Sequence, residues 1–455
     1  MDARLALIRM AQHSVDVQYY LLQNDVTGHT LVRALRDAAL RGVRVRLLVD
    51  DLYTADNNEM LVRFAAHPNV EVRLFNPFAA GRATSLTRWL FSAGDFSRVN
   101  HRMHNKLLVA DGAFAVAGGR NIADEYFFSS KSGNFIDFDL LVTGDAVPRL
   151  ARIFDTYWNS PRIYPLGEIE HSKLTPAQLC AEFETLTRDA ATAYPALAAD
   201  RTDLLGNGPV GADLTRPPLR LMRGRIEVFA DDPEKVSGHS EAGDDPNTVT
   251  AIVGRAMSQA KSELVIGSPY FIPGKIGMDG IEITRRNGVR IDVITNSLAS
   301  NDEPLASAAY GRYRLPMLKL GVNLFETDST QLRNDALVSN ALAATVGRSH
   351  SKLIIIDRRT TFVGSMNLDF RSSRVNTELG MLVDSTELAE AILVLAERIK
   401  VAGSYRLRLD ESRRHVQWVS TLGNTETVLD YEPGIDFRTW LQLLILSPLV
   451  SESLL

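Results

Sequence analysis

The sequence predicts an α/β protein of two halves related by a pseudo-twofold axis. Each half is a mixed sheet flanked by helices, and the two share one active site. Three observations predict this. The pattern His-x-Lys-x-x-x-x-Asp occurs twice, as His104, Lys106 and Asp111 and as His350, Lys352 and Asp357, and one shift of 246 positions carries each residue onto its counterpart. Gly118, Gly119 and Asn121 follow the first copy, and Gly364, Ser365 and Asn367 follow the second at the same shift. RGVRVRLLVD (41–50) and NGVRIDVITN (287–296) keep it too. Each of these reads as a helix end, a glycine cap and a buried β-branched strand.

Further elements follow in order. DARLALIRMA reads as an amphipathic helix starting at Met1. HSVDVQYYLL (13–22) and KSELVIGSPYFI (261–272) each read as a strand after a helix, and VEVRLFN (70–76) matches GVNLFE (321–326). Both histidine motifs begin a strand, and each glycine-asparagine element ends the next. Strands alternating with helices imply a parallel or mixed sheet in each half. The expected organisation is a first half over 1–165, a helical linker over 166–224, a second half over 225–405 and a C-terminal extension over 406–455. The linker holds a helical stretch and then the Gly/Pro-rich GNGPVGADLTRPPL; 236–247 reads as a polar loop. The extension ends in WLQLLILSPLVSESLL, read as a docked core helix or an interfacial anchor.

At 455 residues the chain exceeds one ordinary core. A charge of −5 disfavours a dedicated nucleic-acid binder, which carries a basic excess. The lone Cys180 excludes an internal disulfide. No run approaches the roughly 20 apolar residues that span a bilayer, and no secretory leader precedes the first helix. The expected location is peripheral membrane association or the cytoplasm.

A lone histidine is usually a satisfied core residue; a pair repeating with its neighbours is not. In a strand, residues i and i+2 share a face, so each histidine and its lysine point into one pocket. Metal binding is disfavoured, because an ammonium beside each imidazole opposes a cation and no Cys cluster or HExxH spacing exists. No cofactor is expected. Two histidines, two lysines and the amides of Asn121 and Asn367 suit an anion, with the asparagines holding phosphate oxygens. A phosphodiester fits. One imidazole attacks to form a phosphohistidine, and the other handles the proton of the leaving and entering groups. Each ring needs a carboxylate to fix its tautomer. Glu378 is the candidate in the second half and Asp137 its counterpart in the first, with Asp139 competing. Asp111 and Asp357 complete the motif set but fall at strand ends, and read as structural partners of backbone or arginine.

The duplicated motif resembles that of the phospholipase D superfamily. RMHNKLLVADGAFAVAGGRNIADEYF (102–127), FDTYWNS (154–160) and the closing SPLVSESLL are similar to bacterial cardiolipin synthases of the C type, over nearly the whole chain. The resemblance implies a duplicated phospholipase D fold and transfer of a phosphatidyl group between phospholipids to give cardiolipin, without a metal. It implies His104 as nucleophile and His350 as acid/base. Phosphatidylglycerol is the implied substrate, with phosphatidylethanolamine as a second candidate. A hydrolytic phospholipase D and a phosphodiester nuclease are the alternatives. The expected partner is a membrane surface, not nucleic acid. Segment 81–100, with Arg82, Arg88, Arg98, Trp89, Leu90, Phe91 and Phe96, and the nearby Tyr126, Phe127 and Phe128, are the candidate lipid-facing residues. Packing onto their own domain is the competing reading.

Overall fold

The computed structural model describes residues 1–434 apart from 56, 80–81, 83–85, 89–92, 191–202, 207–213, 215–220, 238–244, 343–344 and 423–424. Trp89, Leu90 and Phe91, most of the Gly/Pro-rich linker and the apolar C-terminal run lie outside the described residues.

The first half is a seven-stranded sheet in the order β7-β5-β4-β1-β2-β3-β8. Its strands are β1 (Ser14–Tyr19), β2 (Arg44–Asp50), β3 (Val70–Phe75), β4 (Lys106–Ala110), β5 (Phe114–Gly118), β7 (Asp139–Thr143) and β8 (Ile163–Pro165). β1, β2 and β3 are parallel, and β4 joins β1 antiparallel. The second half repeats that core. β10 (Glu263–Gly267), β11 (Arg290–Asn296) and β12 (Asn323–Thr327) are parallel, with β14 (Leu353–Ile356) antiparallel on β10. β15 (Thr360–Gly364), β16 (Leu379–Asp384) and β9 (Arg225–Ala230) continue beyond β14. At the opposite edge β17 (Ser404–Leu409), β18 (Val416–Leu422) and β19 (Thr425–Leu429) extend the sheet past residue 406. A third sheet, β6 (Gly133–Ile136) with β13 (Val346–Ser349), is a parallel pair with one strand from each half.

The apolar runs after each motif lysine follow from burial on both faces. Leu107 and Val109 enter a core common to both halves, while Leu108 and Ala110 enter the outer core of the first. Ile355 likewise faces the common core, and Ile354 and Ile356 face the outer core of the second. Helices Val147–Trp158 and Thr386–Ala402 fill the common core through Leu150, Phe154, Ile392 and Ile399. In the linker region, helix Pro176–Leu186 starts at a Thr175–Gln178 capping box and seats Phe183 against Phe64 and His67. Among the described residues no helix is long and apolar enough to cross a membrane.

Candidate active site

Each motif histidine lies at a junction where one half pairs with the other. His104 lies two residues before the start of β4, and its N–H donates to Thr377 O at 2.9 Å; Met103 and Thr377 form a parallel bridge. His350 immediately follows β13, and its N–H donates to Ile136 O at 2.8 Å. Thr377 and Ile136 each precede a carboxylate in the chain. The carboxylates therefore cross. His104 Nδ1 lies 3.0 Å from Glu378 Oε2, and His350 Nδ1 lies 2.6 Å from Asp137 Oδ2. Sequence reasoning placed one carboxylate in each half and did not give the crossing. Asp139 instead pairs with Arg4 at 2.8 Å.

Nδ1–H donating to a carboxylate leaves Nε2 as the basic nitrogen of each ring. Glu378 is fully buried. It also accepts from the hydroxyls of Ser372, at 2.8 Å, and Ser365. Burial opposes its ionisation, but His104, Lys106 and the Ser365 hydroxyl outweigh that and hold it at about 2. In the other half Gly119 replaces Ser365, and a Cβ there would clash with Asp137 Oδ1. The glycine makes room for the shorter carboxylate, which accounts for the Gly119/Ser365 asymmetry.

Lys106 and Lys352 each donate to the carbonyl of their own histidine at 2.7 Å, so the i, i+2 pairs stay together. Lys352 Nζ also sits 2.8 and 3.1 Å from the two ring nitrogens of His350. Burial, with Lys106 adding repulsion and Glu378 opposing, lowers His104 to about 4. Burial also lowers His350, reinforced by Lys352 and opposed by Asp137. Lys106 is pushed well below the ordinary lysine range and Lys352 to about 8, in both cases first by burial. Buried ammonium groups favour the charged form once an anion lies between them. The arrangement suits a phosphodiester.

Asn121 and Asn367 are buried at the ends of their loops, and each has an amide Oδ1 without a protein partner. The other amide atom of Asn121 meets Tyr126 Oη at 3.0 Å. Exchanging amide O and N there would let the tyrosine donate and turn an N–H toward a phosphate oxygen. Tyr126 and Phe135 pack on His350, and Tyr20 packs edge-on against His104 with ring centroids 4.8 Å apart.

Asp111 and Asp357 stand outside this cluster. Both adopt positive φ, at 51° and 50°. Asp111 accepts the backbone N–H groups of Gln12, His13 and Ser14, and Asp357 those of Lys261, Ser262 and Glu263. They tie the end of each motif strand to the start of its neighbour, and touch neither histidine.

The arginines of 81–100 are engaged within the protein. Arg82 pairs with Asp51 and Glu170, Arg88 is buried and donates to Asp51 O at 2.7 Å, and Arg98 pairs with Asp95. This departs from their expected part in a headgroup surface: neighbouring carboxylates and carbonyls already take their charge. Tyr126 is likewise buried.

These protonation states set an expected pH profile for kcat/KM, which reports the free enzyme. Below about 4, His104 takes a proton on its free ring nitrogen; above about 8, Lys352 loses its charge. With a substrate whose leaving group departs without a proton, so that no general acid is needed, activity should therefore fall on both sides. Lys352→Arg should move the alkaline limb upward; an unmoved limb would refute the assignment to Lys352.

A family model described as "Cardiolipin synthase, PLD-like domain" matches residues 5–158 and 253–400. Cardiolipin synthase C of Escherichia coli (strain K12) is 34% identical over 444 residues, covering 97% of this chain and 91% of that protein. Cardiolipin synthase 2 of Staphylococcus epidermidis is 25% identical over 386 residues, covering 85% and 62%. The crystal structure of phosphatidylserine synthase from Haemophilus influenzae Rd KW20 shares the fold, with a TM-score of 0.62 at 14% identity over 99% of this chain and 91% of that one. Both motif copies fall inside the matched segments, and the chain belongs to the cardiolipin synthase family of phospholipase D-like enzymes.

Proposed function

We propose that this phosphatidyltransferase forms cardiolipin by moving a phosphatidyl group from one phospholipid to the hydroxyl of another, through a phosphohistidine on His104. The observation that carries the reading is the pair of buried imidazoles, each bound to a carboxylate from the opposite half and each beside a lysine. His104 Nε2 attacks phosphorus. The leaving alkoxide takes a proton from His350, whose proton affinity rises once the phosphate anion is bound. Lys106, Lys352, Asn121 and Asn367 stabilise charge on the non-bridging oxygens. The acceptor hydroxyl then gives its proton to His350, its oxygen bonds to phosphorus, and the P–N bond to His104 breaks. Phosphatidylglycerol serves as acceptor, phosphatidylglycerol or phosphatidylethanolamine as donor, and the enzyme works at a membrane surface as a peripheral protein.

Vesicles of labelled phosphatidylglycerol, with and without phosphatidylethanolamine, test this by thin-layer separation of products. Cardiolipin should dominate, with phosphatidic acid minor. Phosphatidic acid alone would replace the transferase by a hydrolytic phospholipase D, and cleavage of single-stranded DNA in preference to lipid would make the enzyme a nuclease. Two lysines supply the charge that a divalent ion would bring, so EDTA should leave the rate unchanged. Loss of activity in EDTA, restored by a divalent metal, would overturn this account of the pocket.

A further inference from the structure

The peptide ahead of each motif histidine is held by a side chain that the histidine–lysine pattern does not include. Asp50 ends β2 and Asn296 ends β11, the same pair under the shift of 246 that relates the motifs. Asp50 Oδ2 accepts the N–H of Met103 at 2.8 Å, one residue before His104. Its Oδ1 accepts the N–H of Leu52 at 2.8 Å and faces Arg102 at 3.3 Å. Asn296 Oδ1 accepts the N–H of Ser349 at 2.9 Å, one residue before His350, and its Nδ2 donates to Ser349 O at 2.8 Å. Thr327 Oγ1 donates to the same Oδ1 at 2.9 Å. Both side chains are about 1% exposed.

We infer that Asp50 and Asn296 are positioning residues, each fixing the backbone from which one catalytic histidine projects. The inference rests on the two-histidine reading above. The physical case is one of lever arm. Neither histidine lies within a strand of its own sheet, so ladder bonds do not fix the peptide on its N-terminal side in both planes. The parallel bridges tie it to the opposite half, and the strand-end clamps tie it to its own. Each imidazole then has a fixed origin as well as a fixed tautomer. A displacement of about 1 Å at such a group can cost on the order of 10²-fold in rate.

The two clamps are not interchangeable. Asp50 only accepts, from two backbone N–H groups and the Arg102 guanidinium; Asn296 must also donate to a carbonyl. Asp50→Asn keeps one acceptor for Met103, while Asn296→Asp sets a carboxylate oxygen against Ser349 O.

The test separates the two histidines with two substrates. On vesicle phospholipid, Asp50→Ala and Asn296→Ala should each lower kcat by about 10- to 100-fold with KM nearly unchanged. On phosphatidyl-p-nitrophenol the leaving group departs without a proton, so the first step no longer needs the general acid. The nitrophenolate burst should then stay slow in Asp50→Ala and return to within about threefold of wild type in Asn296→Ala. Asp50→Asn should recover part of the lost rate and Asn296→Asp none. These milder variants, with thermal melts alongside, carry the test if an alanine variant does not fold. An equal loss of burst rate in both variants, or wild-type turnover of phospholipid in both, overturns the inference. The reverse split keeps both clamps and reverses only the order of the histidines. A wild type that releases only phosphatidic acid defeats the transferase reading and leaves the clamps standing, because the burst is the same in either reaction.

Discussion

His104→Ala enzyme should carry no covalent phosphate after acid quenching and should turn over neither donor lipid. This is the largest effect expected, because the variant lacks the atom that bonds to phosphorus. His350→Ala should also fail on natural phospholipid, by about 10²–10⁴-fold for loss of general acid–base help. The two failures should differ in kind. His350→Ala should still accumulate phosphohistidine from phosphatidyl-p-nitrophenol, since that leaving group needs no proton, and should then stall, because nothing deprotonates the acceptor. His104→Ala should give no burst with either substrate. Covalent phosphate on His350 in the wild type would exchange the two roles. Near-wild-type turnover in either alanine variant would end the two-histidine mechanism.

What could be read from the sequence was set by local chemistry. A strand buried on both faces needs a continuous apolar run, so LLVA and LIII announced β4 and β14. The repeat at one fixed shift revealed the duplicated core. Asp111 and Asp357 had a local signature too, since a strand-end aspartate in a tight turn accepts backbone N–H groups, although the N–H groups it meets lie more than 90 residues earlier. The crossing of the carboxylates had no such signature. His350 and Asp137 are 213 residues apart, His104 and Glu378 274 apart, and pairings between the halves such as β6–β13 and the Met103–Thr377 bridge bring them together. No periodicity encodes a contact between halves. Asp50 and Asn296 were visible as the last letters of the matched RGVRVRLLVD and NGVRIDVITN, but nothing in a strand pattern says that its final side chain reaches over to a neighbouring loop. The edge strands β17–β19 were missed for another reason. RLRLDESRRH is polar and exposed on one side, as an edge hairpin is, and reads from sequence as a charged tail.

Glu378→Gln carries the second large expectation, a fall in kcat on the order of 10³–10⁴-fold, by analogy with what neutralising the carboxylate of a histidine–carboxylate pair does elsewhere. The cause has two parts. Glu378 is ionised well into the acid range, so the substitution removes a full buried charge beside a ring that must become cationic when it bonds phosphorus. Glutamine can also turn its N–H₂ toward Nδ1 of His104. That reverses the tautomer and places the proton on Nε2, where the nucleophilic lone pair is needed. The hydroxyls of Ser372 and Ser365 donate to opposite oxygens of the carboxylate, Oε1 and Oε2, so the amide also leaves one of them facing an N–H₂ in place of an acceptor. Since the partner of Glu378 is His104 and not the histidine of its own half, the defect should appear as slow phosphohistidine formation even from phosphatidyl-p-nitrophenol. Asp137→Asn should spare that burst and slow the natural lipid. Nitrogen NMR of imidazole-labelled protein gives the direct check. In Glu378→Gln the His104 Nε2 resonance should move to the protonated position while that of His350 stays, and in Asp137→Asn the change should fall on His350. A change confined in each case to the histidine of the same half would refute the crossed pairing.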